Sequence, residues 1–192
     1  MLDVLHQFFG WVCGQNPSHT WAPGGEVLPC CQRCTGVYVG AFVATLLELA
    51  WRPAPTPHRL WLNGAFLLFM IPSAFYWIPQ NPELRCASGI FFGFGLVAFL
   101  RLTLAWPKSK TVSGVENKNS RLHLAVFTAT LLATLVLTPL IAEHGNKLAA
   151  DWLALLTAGG ALALGALMLA NFFCALRWLF AWWFKRPTRA VA

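Results

Sequence analysis

Apolar residues fill this chain in blocks of about 20, the length that carries an α-helix across the hydrocarbon core of a bilayer. Short polar or proline-containing segments separate the blocks. The first block covers Thr35 to Trp51 and the second Leu60 to Ile78, with Pro72 inside it as an expected kink. The third covers Ala87 to Trp106, with Arg101 placed near a membrane surface. A polar stretch follows, Pro107 to Ser120, carrying Lys108, Lys110, Glu116 and Lys118. Beyond it the fourth block covers Leu122 to Ala142 and the fifth Trp152 to Phe173. Cys174 to Phe184 reads as interfacial, with Arg177 flanked by Trp178, Trp182 and Trp183. The expected fold class is therefore all-α, a polytopic integral membrane bundle of about five transmembrane helices. Residues 1-34 form an extracytoplasmic or interfacial segment containing cysteines. Residues 35-192 form the five-helix bundle, with a polar cytoplasmic loop near 107-120.

Composition supports the membrane reading. Only 11% of residues are charged and 57% are hydrophobic, against about 25% charged in a soluble domain. The net charge of +7 invites a nucleic-acid reading, but the charges sit beside apolar spans and not along one helix face. They fit cytoplasmic loops instead, and no nucleic acid is expected as a partner; the lipid bilayer is. One side of the predicted bundle holds Arg52, Arg59, Arg101, Lys108, Lys110, Lys118, Arg121, Arg177, Lys185, Arg186 and Arg189, and the other only Arg33, Arg85 and Lys147. That bias puts the amino terminus outside and the carboxyl terminus in the cytoplasm, for a multi-pass protein of the cytoplasmic (inner) membrane.

The segment before the first span carries the candidate chemistry. Met1 to Val12 lacks the basic region of a secretory signal, and Leu2, Leu5, Phe8, Phe9 and Val12 fit one face of a short interfacial helix. Cys13, Cys30, Cys31 and Cys34 precede the first span and Cys86 adjoins the third from the same side, while Cys174 lies toward the cytoplasm. His6, His19 and His144 share the outer face; His58 and His123 do not.

Two motifs, Cys13-x-Gln15-x-Pro17 and Leu28-Pro29-x-Cys31-x-Arg33-Cys34-Thr35-Gly36-x-Tyr38-x-Gly40, resemble the signature of an uncharacterised bacterial and archaeal membrane-protein family. That family is catalogued as domain of unknown function 2085. Its pattern reads approximately CHQxPxRSF, a short gap, then LPxCxRCTGxYxG. The resemblance singles out Cys13, Cys31 and Cys34. The chain departs from the pattern at Gly14 (for His), His19 (for Arg), Thr20 (for Ser) and Trp21 (for Phe), and Cys30 and Cys86 match no cysteine in it. The family has no established activity to carry over.

Three readings of the cysteines stay open. In the first, Cys31 and Cys34 form a CxxC at a helix start, where the macrodipole and Arg33 stabilise a thiolate. One of the pair attacks, the other resolves, and Cys13 exchanges. If the protein is an enzyme, this makes it a thiol–disulfide oxidoreductase, with a quinone as electron acceptor by analogy with membrane thiol oxidases. In the second, Cys13, Cys31 and Cys34 hold zinc or copper, with His19, Cys30 or Cys86 as fourth ligand. In the third, a non-enzymatic accessory or scaffold subunit uses a disulfide from Cys13 to Cys31 or Cys34. That bridge closes a loop of about 20 residues and contributes roughly 3 kcal/mol.

Two features away from the cysteines also stand out. Glu48 lies inside the first span, with Arg52 four residues on as an i,i+4 partner. Gly36/Gly40 and Gly89/Gly93 have the small-xxx-small spacing of close helix packing, either within the bundle or against another membrane subunit.

Overall fold

The computed structural model describes residues 2–51, 57–105 and 120–184, all helix, turn or irregular chain. A short helix α1 (Leu2–Phe9) leads through two 3-10 turns, Pro17–His19 and Pro23–Gly25, into the long helix α2 (Gln32–Trp51). Then come α3 (Pro57–Leu68), α4 (Met70–Ala74), α5 (Pro82–Ala105), α6 (Ser120–His144) and α7 (Lys147–Phe184). Among the described residues, α2, α5, α6 and α7 are long and apolar enough to cross a membrane. The second expected span is there as helices of 12 and 5 residues joined by Phe69 alone, whose φ of −61° and ψ of −23° stay right-handed helical. Pro72 supplies the physical reason for the expected kink: it has no N–H for the Leu68 carbonyl, and its ring pushes on that carbonyl. Tyr76 then takes a left-handed φ of 59°, which ends α4 and turns the chain toward Pro82.

The bounds of the other helices run past the apolar blocks. Helix α2 starts at Gln32, taking Cys34 into its first turn, and α5 starts at Pro82, where a missing N–H costs nothing. The fifth span and the expected interfacial segment are one continuous 38-residue helix, about 57 Å long at 1.5 Å per residue. The polar stretch 107–119, Arg52, Lys185, Arg186 and Arg189 lie outside the described residues.

Helices α2 and α5 share the largest interface and run parallel. Their glycines explain how closely they meet. A Cβ on Gly40 would sit 2.7 Å from the Ile90 carbonyl oxygen, and one on Gly93 would sit 2.7 Å from the Ala41 nitrogen. Cβ atoms on Gly36 and Gly89 would strike the Cys86 and Arg33 carbonyls. The two small-xxx-small pairs therefore face each other inside this chain, as a seam within the bundle. Gly160 brings α7 against the Tyr38 carbonyl on another side of α2.

Polar ties mark the two ends. At one, Arg33 on α2 donates to the Ser73 carbonyl at the end of α4 (2.8 Å), and Ser73 Oγ meets Ser88 Oγ on α5 (3.1 Å). Glu26, just past the second 3-10 turn, joins Lys147 at the start of α7 (2.8 Å) at this same end. At the other end Glu48 binds Arg59 of α3 (2.8 Å) and Arg101 of α5, and Arg101 also donates to the Glu48 carbonyl. The expected Arg52 partner lies outside the described residues, and the carboxylate instead ties three helices together. One carboxylate thus meets two guanidiniums, so Glu48 is not left unpaired in a low-dielectric setting.

The seam makes a direct prediction. Gly93→Leu should destabilise the detergent-solubilised protein by at least about 1–3 kcal/mol, since backbone and not a flexible side chain blocks the new group. Gly165→Ala, whose added Cβ meets nothing within 4 Å, should leave the thermal midpoint nearly unchanged or raise it slightly, and Gly93→Ala should lower it. Equal midpoints for the two alanine variants would refute the seam.

Candidate metal centre: a thiol cluster at one end of the bundle

Cys13 follows α1 in a tight turn, its N–H donating to the Phe9 carbonyl at 2.8 Å. Gln15, at a left-handed φ of 42°, fixes this turn against the next loop. Its Nε2 donates to the His6 carbonyl (2.8 Å) and to the Pro29 carbonyl (2.9 Å). His6 completes the tie through a ring nitrogen 3.0 Å from the Val27 carbonyl. The chain from Leu28 to Cys31 is thereby held over Cys13.

Cys31 sits immediately before α2 and its carbonyl accepts the Thr35 N–H (2.9 Å). It occupies the N-cap position, with Cys34 three residues on, so both project toward the helix amino terminus. Thr35 Oγ1 also donates to the Cys30 carbonyl (3.3 Å), closing the loop onto the helix.

The three sulfurs of Cys13, Cys31 and Cys34 all lie within 4.8 Å of one another. A tetrahedral ion at about 2.3 Å from each sulfur needs sulfurs about 3.8 Å apart, a closure of about 1 Å or less. All six cysteines are free thiols, and a disulfide could join only two of the three. The Cys31 N–H donates to Cys13 Sγ at 3.4 Å, the kind of backbone contact that favours a thiolate. The floor and walls are apolar: Phe9 and Cys30 are buried, and Leu5, Tyr38 and Ala161 pack against them. Leu5 and Phe9 of the expected interfacial helix thus turn onto the cysteines, while Phe8 and Val12 stay exposed.

Electrostatics single out Cys13. The thiols of Cys30, Cys31 and Cys34 and the Cys31 amide all donate toward it, holding its pKa far below the ordinary thiol range against the opposing effect of burial. Cys30 shows the reverse, since its S–H is the donor to Cys13 and the group is buried, so its pKa is pushed up.

Several expected residues fall elsewhere. Arg33 faces away from the thiols: its Nη2 donates to Ser73 O, Ser73 Oγ (3.2 Å) and Gln80 Oε1 (3.3 Å). The stabilising donors at Cys13 are thiols and an amide, and Arg33 is not among them. His19 does not join the three sulfurs; its Nδ1 lies 3.3 Å from Ser18 Oγ. Cys86 is fully buried in the main core, on the α2–α5 seam. Cys30 is the fourth sulfur that contacts Cys13, and Gln15 is the residue that holds the loop. The motif spelling contains Gln15, but nothing in the spelling says that its amide bridges two carbonyls.

Fold and site together define a multi-pass α-helical membrane protein with a thiol cluster where several chain segments converge. Residues 13–99, from the first site cysteine through most of α5, match the family model described as "Predicted membrane protein (DUF2085)". An uncharacterised protein of Methanothermobacter thermautotrophicus is 30% identical over 101 residues, 49% of this chain and 88% of that protein. The chain belongs to this family, whose function is unknown. No solved structure matches it.

The sign of the thiol shifts sets a pH test. A thiol whose folded pKa is lowered contributes stability above its unfolded value, about 8.5, and loses it as pH falls through the folded value. Cys30, raised, loses its contribution as pH rises. The metal-free protein should therefore keep one thiolate, seen by ultraviolet absorbance, well below pH 7. Cys13→Ser should remove it. Titration of all the thiols together near pH 8.5 would show that the cluster does not perturb them.

Proposed function

We propose that the protein holds one soft metal ion, zinc or copper(I), in a thiolate site formed by Cys13, Cys31 and Cys34 on the extracytoplasmic face of the cytoplasmic membrane. The observation that carries this reading is the triangle of three sulfurs within 4.8 Å of one another. Three sulfurs this close together suit an ion better than a two-sulfur bond, and an all-sulfur donor set favours soft or borderline ions. Cys30 lies outside the group of sulfurs mutually within 4.8 Å, as His19 does, but unlike His19 it contacts Cys13 and is the candidate for a fourth ligand. Bound metal would anchor α1 and the Leu28–Cys31 loop to the head of α2, a stabilising role that needs no catalysis.

The orientation rests on charge. Among the described residues the basic side chains toward the cysteine end are Arg33, Arg85 and Lys147, while the span order read from the sequence assigns the other Lys and Arg residues to the opposite side, and a basic excess is the usual mark of a cytoplasmic side.

One observation favours a second reading, thiol–disulfide exchange. Buried Cys13, its pKa lowered by surrounding donors, lies within 4.8 Å of two partly accessible thiols. In such an exchange Cys31 or Cys34, its proton passing to Cys13, would attack a disulfide of a partner and release one partner thiolate. The other of the pair would then displace the second, leaving an intramolecular disulfide.

Two measurements test these statements. Protein purified without reductant should contain about one zinc or copper per chain, and Cys31→Ala should reduce that to below a tenth. A metal-free protein in which a disulfide turns over with an external thiol would instead establish exchange. A cytoplasm-dependent reporter fused after Ala192 should be active; a silent one, with an active periplasmic reporter at the same place, would invert the topology.

A further inference from the structure

The first turn of α2 presents two different chemistries on two sides. Cys34, with Tyr38 one turn on, packs toward Phe9, Cys13 and α7. Arg33, with Val37 one turn on, lies on the α5 side, where Gly89 touches the Arg33 carbonyl and the Val37 nitrogen. On α5 the residue one turn before Gly89 is Arg85, on the same face and about 6 Å higher by helical rise. A hydrogen-bonded chain closes this region: Arg33 to Ser73, Ser73 to Ser88, and Ser88 to the Arg85 carbonyl (2.8 Å).

Both guanidiniums are incompletely satisfied. Arg85 is only 8% exposed, and its Nε is buried without a hydrogen-bond partner. Arg33 Nε is buried in the same condition, while its Nη2 meets only neutral oxygens. The ion pairs among the described residues use Glu48 and Glu26, and neither Arg33 nor Arg85 takes part in one. Buried donors without acceptors are rare in native proteins and point to a water or ion. Arg85, a buried cation without a carboxylate, calls for a partner that is anionic and only accepts hydrogen bonds, and half-buried Arg33 stands one turn below it across the seam.

The position narrows the chemistry. Arg33 and Arg85 stand in the first turns of α2 and α5, helices whose apolar spans begin there, hence at headgroup depth. Two parallel helices also turn their positive amino-terminal ends toward the same surface. Guanidinium forks match phosphate oxygens bidentately. We propose that Arg33 and Arg85 form a second site, separate from the thiols, that binds the phosphate group of an anionic ligand at the membrane surface.

The test uses the full chain purified in neutral detergent. Retention of phosphatidylglycerol and of phosphatidylcholine is measured by native mass spectrometry. Melting is then followed with inorganic phosphate against chloride at constant ionic strength. If the phosphate belongs to lipid, the wild type should hold about one phosphatidylglycerol in preference to phosphatidylcholine, and Arg85→Gln should weaken this at least about tenfold. Arg85→Lys, which keeps the charge and loses the fork, should fall between. If the phosphate is free, inorganic phosphate should raise the wild-type midpoint without lipid preference, and Arg85→Gln should abolish the rise. A wild type showing neither effect overturns the site, as does either effect surviving unchanged in Arg85→Gln. Should Arg85→Gln fail to fold, the wild-type result and Arg85→Lys decide the matter alone.

Discussion

The close approach of α2 and α5 sets the position of almost everything else in this protein. Two parallel helices can touch backbone to backbone only where neither carries a side chain, and Gly36, Gly40, Gly89 and Gly93 meet that need in register. Once the pair is locked, the rotation of α2 is fixed, and with it the directions in which its first turn can point. Cys34 then faces α1 and α7, and Arg33 faces α4 and α5. Within a bilayer this packing matters more than in water, because lipid gives helices no hydrophobic reason to associate.

The thiol cluster is assembled from three places that the seam itself does not touch. Gln15 ties the turn after α1 to the loop before α2, and the α2 amino terminus presents Cys31 and Cys34 to Cys13. Burial under Phe9 and beside Cys30 removes water from one side of the cluster. That raises the cost of a bare thiolate there, and the surrounding S–H and N–H donors offset it at Cys13. A cation among the sulfurs would serve the same electrostatic end, by replacing shared protons with a metal.

Much of this was legible in the chain, and what was not has identifiable causes. Span lengths follow from hydropathy, so four long helices lie where the apolar blocks do. The kink at Phe69 follows from Pro72, and the Phe69 torsions stay helical there. Cys13, Cys31 and Cys34 were legible through the motif, and the fold brings those three together. Its place between two cysteines suggests Arg33 as a thiolate partner. On a helix, however, adjacent residues diverge by about 100°, and its side chain leaves toward Ser73. Sequence distance pairs Glu48 with Arg52, whereas its bonds to Arg59 and Arg101 join helices that only tertiary structure brings near.

The central claim is that three or more sulfurs of one chain converge on a single ion. X-ray absorption at the metal edge of the purified, detergent-solubilised protein reads this most directly. The account predicts a first shell of three or four sulfur scatterers at about 2.3 Å, reduced in Cys13→Ser. A shell of nitrogen and oxygen only, or the absence of bound metal with Cys13 joined in a disulfide, would contradict it.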